Sequence, residues 1–147
     1  MTRLWYMIFI LLQLTWGSVQ SLLGLFIFIR HAGDPHIFYR GCILTKWKYS
    51  SGLSLGLFIF TPIEAGKRGD RLIVHEYGHT FQSLIFGPLY ILVIGIPSLS
   101  WARLGRYKKL RASSGLSYSH YWTEKWADRL GEAVTGMPSL GENNNRV

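Results

Sequence analysis

From Leu4 to Ile29 the chain runs for 26 residues without a formal charge, bounded by Arg3 on one side and by Arg30 with His31 on the other. A helix needs about 20 apolar residues to cross the ~30 Å hydrocarbon layer, so the run can span a bilayer with tilt to spare. Gln13, Thr15, Gln20 and two glycines dilute it, and a cleaved signal peptide or a buried helix of a soluble fold are the competing readings. The signal-peptide reading is the weakest, because apolar character continues through LLGLFIFI and ends on a positive charge. Residues 1–30 are therefore expected to form a transmembrane or membrane-anchoring helix.

The remaining length allows one small domain beside that anchor. Charged residues make up 16% of the 147, below the roughly 25% of soluble domains, which excludes a disordered chain. Sixteen Lys plus Arg against eight Asp plus Glu leave a net charge of +8, so nucleic acid or anionic lipid is the natural counterpart. No nucleic-acid motif or aromatic interleaving accompanies the basic residues, so membrane lipids are the expected partner. Cys42 is the single cysteine, and no intramolecular disulfide can form.

After the first helix, IFYRGCILTKWKY reads as a strand and SSGLSLGLFIFTP as its partner, a β-hairpin turning at Ser50-Ser51-Gly52. Asp70 is placed to cap a helix that starts at Arg71 and ends at Gly87-Pro88. The apolar stretch from Thr80 to Ala102 is interrupted by Pro88 and Pro97, which break a continuous helix. Leu104 to Ser119 is basic and rich in Ser and Gly, and reads as a mobile or lipid-facing loop; Tyr121 to Val134 reads as the last helix, and residues 138–147 as a frayed tail.

Within the Arg71 helix stands His75-Glu76-Tyr77-Gly78-His79. Residues four apart share a helix face, so both imidazoles can reach one tetrahedral ion. Glu76 projects about 100° round from His75, where it can touch a metal-bound water rather than the metal. Zinc lowers the pKa of such a water to ~7, and a neighbouring carboxylate then serves as general base. Gly78, costing ~1 kcal/mol relative to Ala inside a helix, points to the close approach of another backbone or a ligand.

A third protein ligand is required. A third His six residues after His79 is absent, since Ile85 stands there. His31 and His36 lie upstream beside the proposed anchor; downstream are His120, Glu124, Asp128 and Glu132. Glu124 and Asp128, four apart, share a face of the last helix, so one can ligate the metal while the other accepts the second N–H of a ligating His. His120 is the rival third ligand, and a solvated face paired with Lys125 or Arg129 the ordinary alternative. Tyr118, His120 and Tyr121 are suited to donate to an oxyanion, and Tyr121 is the expected catalytic donor.

HEYGH followed on a later helix by TEKWAD resembles the gluzincin group of zinc metallopeptidases, and the block HEYGHTFQSLIFGPLY also resembles one in short uncharacterised bacterial membrane-associated proteins. The strong part covers Leu72 to Ser98 and Tyr118 to Gly131. The resemblance implies zinc held by His75, His79 and Glu124, Asp128 orienting a zinc-bound His, Glu76 as base, and a peptide substrate lying against a sheet edge, for which the strand from Leu53 to Phe60 is nearest.

A shared ion also constrains topology. Were Thr80 to Ala102 to cross the bilayer fully, His75 and Glu124 would begin up to ~30 Å apart, so this segment is expected not to span. Fifteen of the sixteen basic residues then lie on one side of one anchor, which the positive-inside tendency assigns to the cytoplasm. The expected molecule is an α+β minimal metallopeptidase domain over residues 31–137, tethered to the cell membrane. It comprises an N-terminal membrane helix, a β-hairpin, the HExxH helix, a broken apolar segment and a C-terminal third-ligand helix. A non-catalytic membrane protein stapled by a structural metal is the alternative.

Overall fold

The computed structural model describes residues 2–63 and 66–141. These form a mixed α+β fold with six α-helices and one four-stranded sheet among the described residues. The expected single N-terminal helix is two: α1 (Arg3–Thr15) and α2 (Ser18–Arg30), bent by 92° at Trp16-Gly17. No single helix among the described residues is long and apolar enough to cross a membrane.

The bend follows from the polar residues that dilute the run. Gln13 Nε2 donates to the Thr80 carbonyl at 2.8 Å, and Gln20 Nε2 to Ser83 Oγ at 2.7 Å and to the Gly87 carbonyl at 3.1 Å. Ser21 Oγ closes the corner by donating to the Gln13 carbonyl at 2.8 Å. Both glutamines are fully buried, and buried amides are tolerated when hydrogen-bonded. They tie α1 and α2 to the domain instead of leaving a straight rod.

The sheet is made of β1 (His36–Tyr39), β2 (Cys42–Trp47), β3 (Leu53–Leu55) and β4 (Phe58–Pro62), in the order β1-β2-β4-β3. The expected hairpin across Ser50-Ser51-Gly52 is corrected to two tighter ones. Arg40 and Gly41 both take positive φ, 48° and 93°, the signature of a two-residue turn matched to strand twist, and they join β1 to β2. Gly56, with φ 59°, turns β3 into β4. The central pair β2 and β4 is parallel, with Ile43 opposite Phe58, and both strands are largely buried, as parallel strands usually are. β3 is left at one edge.

Helix α3 runs Gly66–Phe86, so Asp70 sits inside it rather than capping it; Glu64 and Ala65 lie outside the described residues. Phe9, Leu44, Ile59, Ile73 and Tyr77 form the core between α1, the sheet and α3, each contributing roughly 1.5–3 kcal/mol through burial. Beyond α3 the apolar stretch breaks at Pro88, in a 3-10 turn at Gly87–Leu89; at Pro97 the helix instead continues, from a π turn at Ile91–Gly95 into α4 (Ile96–Arg103). The basic segment expected as a loop contains a helix, α5 (Gly105–Ser114). Its Arg, Lys and Leu are good helix formers, and Gly115 at φ 62° ends it. The last helix, α6, is Trp122–Thr135. Ser139 of the expected frayed tail is buried and hydrogen-bonds Glu132 Oε1 at 2.5 Å; residues 142–147 lie outside the described residues.

Candidate metal centre

α3 and α6 cross with their backbones nearly touching. A Cβ on Gly78 would stand 1.9 Å from the Ala127 carbonyl oxygen, and one on Gly131 would stand 2.1 Å from that of Val74. Each helix thus contributes a glycine where the other's backbone passes, which accounts for the unfavourable Gly78 of the motif. The close crossing brings Glu124 and Asp128, one turn apart on α6, against His75 and His79, one turn apart on α3.

Glu124 Oε2 lies 3.2 Å from His75 Nε2 and 3.7 Å from His79 Nε2. Its other oxygen, Oε1, accepts from Thr123 Oγ1 at 2.9 Å, whereas Oε2 is buried without a hydrogen-bond partner. Ligand atoms about 2.1 Å from a tetrahedral ion stand about 3.4 Å apart, a value the two observed separations bracket. The outer nitrogens are engaged: His75 Nδ1 meets Asp128 Oδ1 at 2.8 Å and His79 Nδ1 meets Gln82 Oε1 at 2.7 Å. Both acceptors place the ring proton on Nδ1 and leave the Nε2 lone pair pointing at Glu124. Gln82 is itself fixed, donating to the Thr123 carbonyl at 2.9 Å. The buried group His75, His79 and Glu124 can therefore hold a metal ion.

Electrostatics agree with a cation site. Burial works against a charged His75, but the hydrogen bond to Asp128 and the close carboxylates of Glu124 and Glu76 outweigh it and raise its pKa to about 10. Burial likewise opposes ionisation of Glu124 and Asp128, yet the imidazoles, His79 foremost at Glu124 and His75 at Asp128, hold both carboxyls below their usual range. Positive charge is stabilised between these groups, whether as a proton or as a divalent ion.

Glu76 is buried beside the ligands, and burial pushes its carboxyl upward against the opposing pull of His75, His79 and Ser54. Ser54 Oγ donates to Glu76 Oε2 at 2.8 Å. A Cβ on Gly52 would stand 2.1 Å from Glu76 Oε1, so a side chain there would push the carboxylate out of its present position. Gly52, Ser54, Glu76, His79, Tyr90 and Tyr118 all line one cleft of about 930 Å³. The edge strand β3 forms part of its wall.

The structure thus brings together His75, His79, Glu124, Asp128 and Glu76. His120 is exposed and outside the group, and His31 pairs with Asp34 at 2.7 Å instead. Tyr121, the expected donor, stacks on Trp101 with ring centroids 5.1 Å apart and is absent from the cleft lining. Tyr118 is the tyrosine beside the site, its ring 6.0 Å from His75 and its phenol pushed well up by burial and by Glu124. Sequence reading missed Gln82, Ser54 and Gly52. Gln82 was signalled by its place three residues after His79 on the same helix, and Ser54 by a hydroxyl at the buried position of an alternating strand. No protein-family model, curated protein or solved structure matches this chain, so any reading of the centre rests on its own chemistry.

Proposed function

We propose that the chain is a membrane-associated zinc-dependent peptidase. The observation that carries this reading is the orphaned Glu124 Oε2 facing two Nε2 atoms, with a buried carboxylate, Glu76, opening beside them into a cleft. Zinc in such a His2Glu set supplies an acidified water and an electrophilic pole for a carbonyl. Glu76, buried beside these residues and open to the cleft, is the carboxylate that would accept a proton there and return it to a leaving amine. Ser54 holds the carboxylate by its hydrogen bond, and Gly52 leaves space beside it. Tyr118, in place of Tyr121, is the phenol positioned to donate to the developing oxyanion. An extended peptide would lie along β3, the sheet edge in the cleft wall, where the Ser54 carbonyl accepts from the Tyr90 hydroxyl at 3.4 Å.

Metal analysis tests the ligand set. Wild-type protein is expected to bind one zinc, and Glu124→Ala to retain well under half of it after dialysis against a weak chelator. Equal zinc in both would remove Glu124 from the centre.

Association with the cell membrane is supported by the outer faces of α1 and α2. Leu4, Met7 and Leu11 of α1 and Leu22, Phe26 and Ile29 of α2 are each at least half exposed, and this many large apolar side chains in water suits a membrane or protein contact. The surplus of positive charge favours anionic headgroups. The 92° bend and the buried glutamines suit helices lying in one leaflet better than a straight span. Flotation with anionic vesicles is the measurement. Replacing Leu22, Phe26 and Ile29 by Gln is expected to weaken partitioning at least about a hundredfold, given ~1.5 kcal/mol or more per buried side chain, with zinc content unchanged. Unaltered flotation would contradict lipid contact through α2.

A further inference from the structure

The cleft carries a second chemical signature that zinc chemistry does not use. Its lining includes Arg68, Arg103, Lys108 and Arg111, whereas its one acidic member is Glu76, already held by Ser54. None of the four cations forms an ion pair with a carboxylate among the described residues. Four unpaired cations in one concavity focus a positive field onto whatever enters it.

Arg111 is the most constrained of them. Its Nη1 donates to the Trp101 carbonyl, and its guanidinium stands 4.9 Å from the Trp101 ring centroid and 5.7 Å from that of Tyr118. Cation–π contacts and a fixed hydrogen bond hold a planar fork in place without neutralising it. Five N–H donors are available on a guanidinium, so the bond to Trp101 leaves enough for a bidentate carboxylate. Through Tyr118 this arginine is one ring removed from His75. Arg103 and Lys108 are exposed neighbours on α4 and α5. Arg68 lies eight residues before Glu76 on α3, about 12 Å along the helix axis.

We propose that the cleft selects peptides bearing an acidic group near the bond that is cut, a Glu or Asp side chain or a free C-terminal carboxylate. Arg111 anchors that group, and Arg103 and Lys108 raise the local concentration of the anion. The peptidase reading is presupposed for the cutting, though not for the binding. A mobile lysine on a convex face would serve a headgroup as well; a ring-clamped arginine inside a concave cleft beside a sheet edge suits a carboxylate on an extended chain.

The test measures binding apart from turnover. Zinc-loaded, full-length Glu76→Gln in detergent micelles is titrated, by fluorescence anisotropy, with labelled peptides in which Glu replaces Gln one position at a time. At one or two positions Glu is expected to tighten binding about tenfold, with the gain fading as salt rises. Arg111→Lys, which keeps the charge but loses the fork, and the surface double variant Arg103→Gln/Lys108→Gln should each remove most of that gain. With wild-type enzyme, Glu in place of Gln at those peptide positions should lower KM more than it alters kcat. Equal binding of Glu and Gln peptides at every position overturns the proposal, as does displacement of the peptide by anionic but not by neutral vesicles, which would assign the arginines to lipid. Acid-selective binding without cleavage by wild type would sink the peptidase reading alone, and cleavage without acid preference would sink this proposal alone.

Discussion

Glu76→Gln is expected to reduce peptide hydrolysis by about 10³-fold or more while zinc stays at the wild-type level. A general base contributes on the order of 10²–10⁴ to rate, and Gln cannot accept the proton. The substitution is otherwise close to isosteric. The Gln side-chain oxygen can still accept from Ser54, and the room left by Gly52 is unchanged. Because Glu76 is not among the three converging ligands, metal affinity should be insensitive to it. Assay of kcat alongside zinc stoichiometry separates the two classes of function. A metal that only staples the fold predicts a fully loaded wild type that cuts no peptide, and no difference between wild type and variant. Loss of zinc in Glu76→Gln would instead place the carboxylate among the ligands and undo the mechanism.

Gly78→Ala is expected to destabilise the protein by about 3 kcal/mol or more, although Ala is the better helix former by ~1 kcal/mol. The added methyl would meet the Ala127 carbonyl oxygen at 1.9 Å, and a backbone atom cannot rotate away as a side chain can. The helices must separate, at a cost in the upper range for overpacking. Gly131→Ala, directed at the Val74 carbonyl from the other helix, should act alike, and the double variant should cost less than the sum because the first separation relieves the second clash. The consequence for chemistry is large. A shift of about 1 Å between α3 and α6 carries Glu124 away from both imidazoles, so zinc should dissociate in step with the lost stability. Chemical denaturation and metal analysis on the same preparation check both parts. A stabilised Gly78→Ala would mean that the helices do not cross at this distance.

The two helices of the centre were readable because their information is local. HEYGH and TEKWAD each hold two polar groups four residues apart, and a helix of 3.6 residues per turn fixes which of them share a face. That spacing left the choice among Glu124, Asp128 and His120 open; the expectation of Glu124 came from the resemblance of TEKWAD to the gluzincin segment. The sheet was less legible. Strand character could be read from β-branched and aromatic residues, but the parallel pairing of β2 with β4 depends on which partner buries both faces, and no short segment encodes that. Arg40-Gly41 was a turn hidden within a run read as one strand, because a non-glycine residue with positive φ leaves little mark on composition. The first 30 residues show the same limit. Length and apolarity predicted one spanning rod, whereas Gln13 and Gln20 find acceptors on α3 and at Gly87, more than sixty residues away.

By itself the sequence determined the donor chemistry: two imidazoles and two carboxylates at helical spacing, and a third carboxylate next to the first imidazole. Tertiary structure decided which groups meet. It chose Tyr118 over Tyr121, recruited Gln82, Ser54 and Gly52, and folded the N-terminal run into two docked helices. Periodicity acts over a few residues and survives in any fold, but the approach of α6 to α3 is set by backbone contact at Gly78 and Gly131, and contacts between distant residues exist only once the whole chain has packed.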